Sequence, residues 1–303
     1  NMITEYLSGQ FIYPRSTPDT EENDRALLQK LKDGGVEVIQ TWSEWATKES
    51  CWRGKRMYVP YDHDEVTRFI DLVHEYGMKI LPYTATNFME RSDENFDPTW
   101  AHNFAYDLGF GSGTHSLAHC SPSSPGWLAH MLPQFKHLLD EYNYDGVYID
   151  TGYIRNVDFA TCHRYYFTRP NLVQDEVPAF REDSDYDGGM EYMLSLIYDE
   201  VHRSGGVLKL HKEGADTVHC DRRVYDYLWV GEAVKDMEFY RKSVKDFKPY
   251  VVPDYNFKPK KEKDRYLNAI PYMQFPLMRN GTIGIGDPEA AGMDMDLAFS
   301  WHK

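Results

Sequence analysis

Two carboxylates stand out by where they fall. Asp150 closes the short apolar run Val147-Tyr148-Ile149, and Glu232 follows Tyr227-Leu228-Trp229-Val230 after a single glycine. Each comes directly after an apolar strand-like run, and neither precedes an obvious helix start. Two carboxylates facing across one pocket suit acetal chemistry. One protonates the leaving oxygen, while the other attacks the anomeric carbon or activates a water. Asp150 is accordingly read as the nucleophile or stabilising carboxylate, and Glu232 as the general acid/base. An aromatic, partly desolvated surround that includes Trp229 would raise the pKa of Glu232. Tyr153 and Arg155, just beyond Asp150, are placed to hold its ionised form by hydrogen bonding and charge. The plainer alternative is that Asp150 caps a turn and Glu232 pairs with a nearby Lys or Arg.

Other groups are expected at the same ends of their strands: Trp42, Tyr83, His211, Lys212, Glu213, Asp254 and Asp287. Their roles would be hydrogen bonds to substrate hydroxyls and stacking, with Glu213 a reserve acid/base. The aromatic fraction of 15%, with 23 Tyr and 7 Trp, supports this. Flat apolar sugar faces stack on such rings while the hydroxyls seek polar partners.

The elements that must position these groups alternate. A first strand is read within 3–12 and a helix over 21–32, with Ala26, Leu27, Leu28 and Leu31 inward and Gly34-Gly35 as its stop. Val36 to Trp42 is a β-branched second strand. Asp62 and Glu65 form a capping box for a helix carrying Val66, Phe69, Ile70, Val73 and Tyr76 on one face. Met78 to Pro82 is a third strand, ending at Tyr83. Roughly 40 residues from about 84 to 123 show little periodicity, as functional or mobile loops do. Trp127 to Tyr142 is helical, with Pro133 marking a kink or a late start. The strand ending at Asp150 follows, and then a second long loop over 151–187. Helices over 192–202, 235–247 and, more weakly, 261–270 accompany strands over 207–211, 225–230, 250–252 and 281–287.

Eight strands, mostly alternating with helices, give an α/β fold of the (β/α)8 TIM-barrel type, spanning 1–303 as a single catalytic barrel. A doubly wound open sheet is the alternative. The two long loops follow strands three and four, on the face where barrel enzymes build their sites.

The segment Cys120-Ser-Pro-Ser-Ser-Pro-Gly-Trp127, the helix after it and Tyr144-Asp-Gly-Val-Tyr-Ile-Asp150 together resemble glycoside hydrolases with amylase-like and α-galactosidase-like barrels. The resemblance implies that Asp150 is the nucleophile of a retaining enzyme, with the acid/base supplied from strand six, where Glu232 stands. It covers about 30 residues closely and the rest only as barrel layout. α-Galactosidase-like enzymes usually carry Asp as acid/base, which is a departure. The Asp-Glu pair of substrate-assisted hexosaminidases is absent, because Thr151 follows Asp150.

Several classes are disfavoured. A net charge of −15 argues against nucleic acid and anionic membrane surfaces as partners. No apolar run approaches the roughly 18 residues that span a bilayer. Cys51, Cys120, Cys162 and Cys220 are too scattered for a zinc ribbon. Gly109-Phe-Gly-Ser-Gly113 lacks the Gly-Lys-Ser/Thr ending of a phosphate loop, and Gly-x-Ser-x-Gly does not occur. No cofactor or metal is expected in the chemistry. Two rivals are a metal-dependent hydrolase using His211, Glu213, His219 and Asp221, and a non-catalytic carbohydrate-binding barrel. With no basic-then-apolar leader after Asn1, location is open: secreted or periplasmic if a leader has been removed, otherwise cytoplasmic.

Overall fold

A computed structural model describes residues 2–6, 16–41, 45, 58–90, 93–106, 117–150, 186–212, 224–230, 251–252, 254–255 and 277–280. Strand β1 (Met2–Tyr6) leads to helix α1 (Glu21–Asp33) and strand β2 (Val36–Thr41). Leu28 and Leu31 of α1 are buried as expected, but Ala26 is exposed and Asp24 takes an inward place. Its carboxylate accepts the Ser16 and Thr20 hydroxyls at 2.9 and 3.0 Å, and burial raises its pKa above the ordinary carboxylate value.

Helix α2 (His63–Glu75) starts where the capping pattern says. The Asp62 carboxylate accepts the Glu65 amide at 2.9 Å. Only half of the box closes, because the Glu65 carboxylate takes the Tyr61 hydroxyl. Val66, Phe69, Ile70, Leu72 and Val73 are buried, the 3.6-residue stripe that drives the helix onto the sheet.

The third strand is split at Pro82 into β3 (Lys79–Leu81) and β4 (Tyr83–Ala85). Proline donates no ladder bond, yet the Pro82 carbonyl still accepts from Tyr148 at 2.9 Å. Next come β5 (Phe88–Glu90), β6 (Ala101–Tyr106) and β7 (Leu117–Cys120). They form a small antiparallel sheet in the order β5-β7-β6, in a stretch expected to be unpatterned loop. The strands are short, and the β6–β7 register shifts twice, so no sustained alternation marks them in the sequence.

Helix α3 (Pro125–Tyr142) is capped by the Ser124 hydroxyl, which accepts from the Trp127 amide. It runs through Pro133 rather than starting late. The Ala129 carbonyl that Pro133 leaves without a helical donor belongs to an exposed residue, so water can satisfy it. Strand β8 (Gly146–Asp150) follows. Helix α4 (Tyr186–Arg203) begins earlier than the expected 192, and β9 (Val207–Lys212) and β10 (Tyr227–Val230) come next. Strands β11 (Val251–Val252), β12 (Asp254–Tyr255) and β13 (Leu277–Asn280) complete the described elements.

All pairings outside the small antiparallel sheet are parallel. One sheet runs β12-β13-β1-β2-β3 and the other β11-β10-β9-β8-β4. The segment 79–85 contributes to both, β3 to the first and β4 to the second, on either side of Pro82. Two parallel sheets with helices between successive strands are an arrangement consistent with a (β/α)8 architecture. Strand β13, over Leu277–Asn280, pairs with β1 and was not expected as a separate element. Residues 281–287 lie outside the described residues, as do the expected helices over 235–247 and 261–270. Among the described residues no helix is long and apolar enough to cross a membrane.

One device recurs at the amino ends of the strands. Asp145, just before β8, receives the His74 Nε2 contact at 2.8 Å and the Ile80 amide at 2.9 Å. Asp226, just before β10, receives His202 Nε2 at 2.9 Å and the Leu208 amide at 2.8 Å. In each case the last turn of a helix is tied to two neighbouring strands through one carboxylate. The Asp145 hydrogen bond raises the pKa of His74 against the opposing effect of burial. A histidine with a raised folded-state pKa contributes stability that is fully present below its unfolded pKa and is lost as pH rises through the folded value. The urea midpoint of wild type over His74→Gln should therefore be higher at pH 5.5 than at pH 9. An advantage constant with pH would show that the imidazole stays neutral.

Candidate functional site

Asp150 is the last residue of β8 and is half-buried, whereas the four residues before it are buried. Its carboxylate is held from two strands. The Tyr83 hydroxyl on β4 donates to Oδ2, and the Tyr148 hydroxyl donates to Oδ1 at 3.3 Å. Tyr83 and Tyr148 face each other in register across β4 and β8, with ring centroids 5.4 Å apart and edge-to-face. Both are essentially inaccessible, at 1% and 0% exposure, so the donors reach the carboxylate from the protein side. Two fixed O–H donors match a carboxylate, which has only acceptors to offer.

The strand that presents Tyr83 is itself pinned. Trp45 Nε1 donates to the Tyr83 carbonyl at 2.7 Å, and the Tyr58 hydroxyl donates to the Ala85 carbonyl at 2.9 Å. From the other side the Thr84 hydroxyl donates to the Tyr148 carbonyl at 2.7 Å. The two strand ends that meet at Asp150 are thus locked by side chains as well as by the ladder.

Polar groups also lie between the two parallel sheets, on the side of Asp150. Lys209 of β9 is fully buried, and its Nζ donates to Oε1 of Gln40 on β2. The same Nζ lies over the Tyr148 ring, 4.9 Å from its centroid. Because β2 and β9 belong to different sheets, this side chain bridges them, which places Tyr148 on the face that its sheet turns toward the other. Alternate strand residues share a face, so Asp150 points to the same side.

The expected site residues divide into three groups. Tyr83 is brought to Asp150, as a donor to the carboxylate. His211, Lys212, Trp229 and Asp254 lie on strands of the parallel sheets: His211 is registered with Trp229, Lys212 with Val230, and Asp254 with Leu277. Trp42, Tyr153, Arg155, Glu213, Glu232 and Asp287 lie outside the described residues, as do His219 and Asp221 of the metal alternative. Among the described residues no group of three or more His, Cys, Asp or Glu is placed to hold a metal ion.

Sequence reasoning missed Tyr148, Lys209 and Gln40. The signal for Tyr148 was present, since it stands two residues before Asp150 in the same strand. Lys209 was legible too, as a charged residue in the middle of the apolar run Val-Leu-Lys-Leu.

No family model matches the chain. Beta-galactosidase 6 of Oryza sativa subsp. japonica is 34% identical over 105 residues, which are 32% of this chain and 10% of that protein. The chain thus spans about a tenth of the length of this curated relative. Among solved structures, alpha-L-fucosidase isoenzyme 2 from Paenibacillus thiaminolyticus superposes with a TM-score of 0.62 at 14% identity, covering 99% of this chain and 48% of that one. The maltogenic alpha-amylase AmyB from Thermotoga neapolitana gives a TM-score of 0.57 at 12% identity, covering 99% and 74%. The fold is that of glycoside hydrolases with TIM barrels. The amylase-like layout that the Asp150 motif resembles is found again here.

Proposed function

We propose that the chain is the catalytic (β/α)8 barrel of a glycoside hydrolase acting on an oligo- or polysaccharide, with long loops after its third and fourth strands shaping the site. The observation that carries this reading is the Asp150 carboxylate, at the carboxyl end of a parallel strand and held by two buried phenols. Asp150 attacks the anomeric carbon or stabilises positive charge there. Glu232, after the next strand but one, protonates the departing oxygen and then draws a proton from the incoming water. A carboxylate separation of about 5–5.5 Å goes with retention and about 6.5–9.5 Å with inversion. The strand-four motif favours retention. Aromatic and hydroxyl-bearing groups at the strand ends, Trp42 and Trp229 among them, supply stacking and hydrogen bonds to the sugar. The charge of −15 disfavours nucleic acid as a substrate.

Reducing-end release from a broad panel of glycans and aryl glycosides tests the reading, with wild type beside Glu232→Gln. Wild type should cleave at least one glycan. Glu232→Gln should lose roughly 10²–10⁴-fold on it, and much less on aryl glycosides whose leaving phenol needs no proton. Full activity in Glu232→Gln moves the acid/base role to Glu213 or Asp254. A wild type that binds an oligosaccharide but cleaves nothing is a carbohydrate-binding barrel.

A further inference from the structure

We propose that Lys209 is a positioning residue for Asp150, acting through Tyr148 from between the two parallel sheets. The inference rests on the glycoside-hydrolase reading only for its catalytic consequence; the coupling itself is a property of the folded protein.

Burying an ammonium completely is costly, and nothing in the filling of a barrel interior demands a charge. At Lys209 the surroundings compensate. The Gln40 carbonyl oxygen, itself fully buried, accepts from Nζ. The face of the Tyr148 ring supplies a second favourable contact, 4.9 Å from the centroid. Register reinforces the arrangement, since Tyr148 is paired with Lys209 on one side and with Tyr83 on the other. The contacts run from the Lys209 ammonium to the Tyr148 ring, and from the Tyr148 hydroxyl to Asp150 Oδ1 at 3.3 Å. A cation against the ring draws electron density from the phenol, which makes its O–H a better donor. The positive field also favours the ionised carboxylate through a medium that screens poorly. Gln40 stands at one end of this line and Tyr83, on Asp150 Oδ2, at the other. Lys209 lies beneath Tyr148 and needs no contact with substrate to exert its effect.

The test compares wild type with Lys209→Met and Lys209→Gln, unbranched or nearly so and one atom shorter than lysine, which remove its charge. The Asp150 carboxyl is followed through a pH titration by NMR of protein labelled with ¹³C at the aspartate carboxyls, its signal assigned by its loss in Asp150→Asn. Removing the cation should move the Asp150 titration to higher pH by about half a unit or more. On a cleaved substrate the acid limb of kcat/KM should move by the same amount, with KM little changed. A purely structural lysine would alter the melting temperature and leave both titrations where they are, and that outcome overturns the proposal. If the titration moves but wild type cleaves no glycoside, the coupling stands and the hydrolase reading falls. Should neither lysine variant fold, Tyr148→Phe decides. It keeps the ring under the cation but removes the hydroxyl, so Asp150 should again titrate higher, and an unmoved titration rejects the relay.

Discussion

Asp150→Asn should reduce turnover by at least about 10³-fold, a loss of ~4 kcal/mol of transition-state stabilisation, while the protein stays folded. An amide of the same shape removes the negative charge that meets the anomeric centre. It cannot form a glycosyl intermediate or stabilise an oxocarbenium ion electrostatically. It also spoils the support beneath. One phenol can still donate to the amide oxygen, but the other meets an NH₂ group and must turn its own oxygen toward it. That rearrangement is confined to the hydroxyls of Tyr83 and Tyr148, whose rings are fixed by the core and by the pinned strand ends. The urea midpoint should therefore stay close to that of wild type, within about 1 kcal/mol in stability. Initial rates on the best substrate, measured beside a denaturation curve, separate the two effects. A variant that keeps more than a tenth of its activity would show that Asp150 serves the fold alone.

Much of this site was legible because the motif and the architecture speak in the same period. The run Val147-Tyr148-Ile149 ends in a carboxylate, and parallel strands deliver their last residue to the ligand face, so Asp150 could be placed without coordinates. Helix α2 announced itself through Asp62 and its apolar stripe, and α3 through the helical period from Trp127 to Tyr142. What stayed hidden depends on contacts across strands. Nothing in the local sequence around Tyr83 says that its hydroxyl meets a carboxylate 67 residues away. Nor does the sequence near Gln40 show that it accepts from a lysine 169 residues later. Strand β13 went unread for another reason: Leu277–Asn280 is too short for alternation to register. The small sheet β5-β7-β6 escaped because bulged three- to six-residue strands leave no period to find.

The largest stability effect is expected at Gly146, the first residue of the strand that carries Asp150. Its φ of +134° lies where side-chain-bearing residues are strained, and a Cβ there would stand 1.8 Å from the Val207 carbonyl oxygen and 2.6 Å from the Val207 nitrogen. Both obstacles are backbone, and they cannot step aside. Val207 donates its N–H to the Asp145 carbonyl at 2.8 Å, and Asp145 is bound in turn to His74 and to the Ile80 amide. Gly146→Ala must therefore either force β8 and β9 apart or twist the chain out of the Asp145 clamp. Backbone strain and overpacking at one point should together cost about 3 kcal/mol or more, a large share of the 5–15 kcal/mol that holds an ordinary domain together. Gly205→Ala isolates the two causes. Gly205 also has positive φ, +76°, but a Cβ there meets nothing within 4 Å, so only strain of about 1 kcal/mol is expected. Thermal or urea unfolding of both variants reads the difference directly. Equal losses would mean that β8 and β9 can separate at little cost. A much greater loss at Gly146 identifies the close crossing of these two strands as the point that fixes the height of Asp150 beside Tyr83.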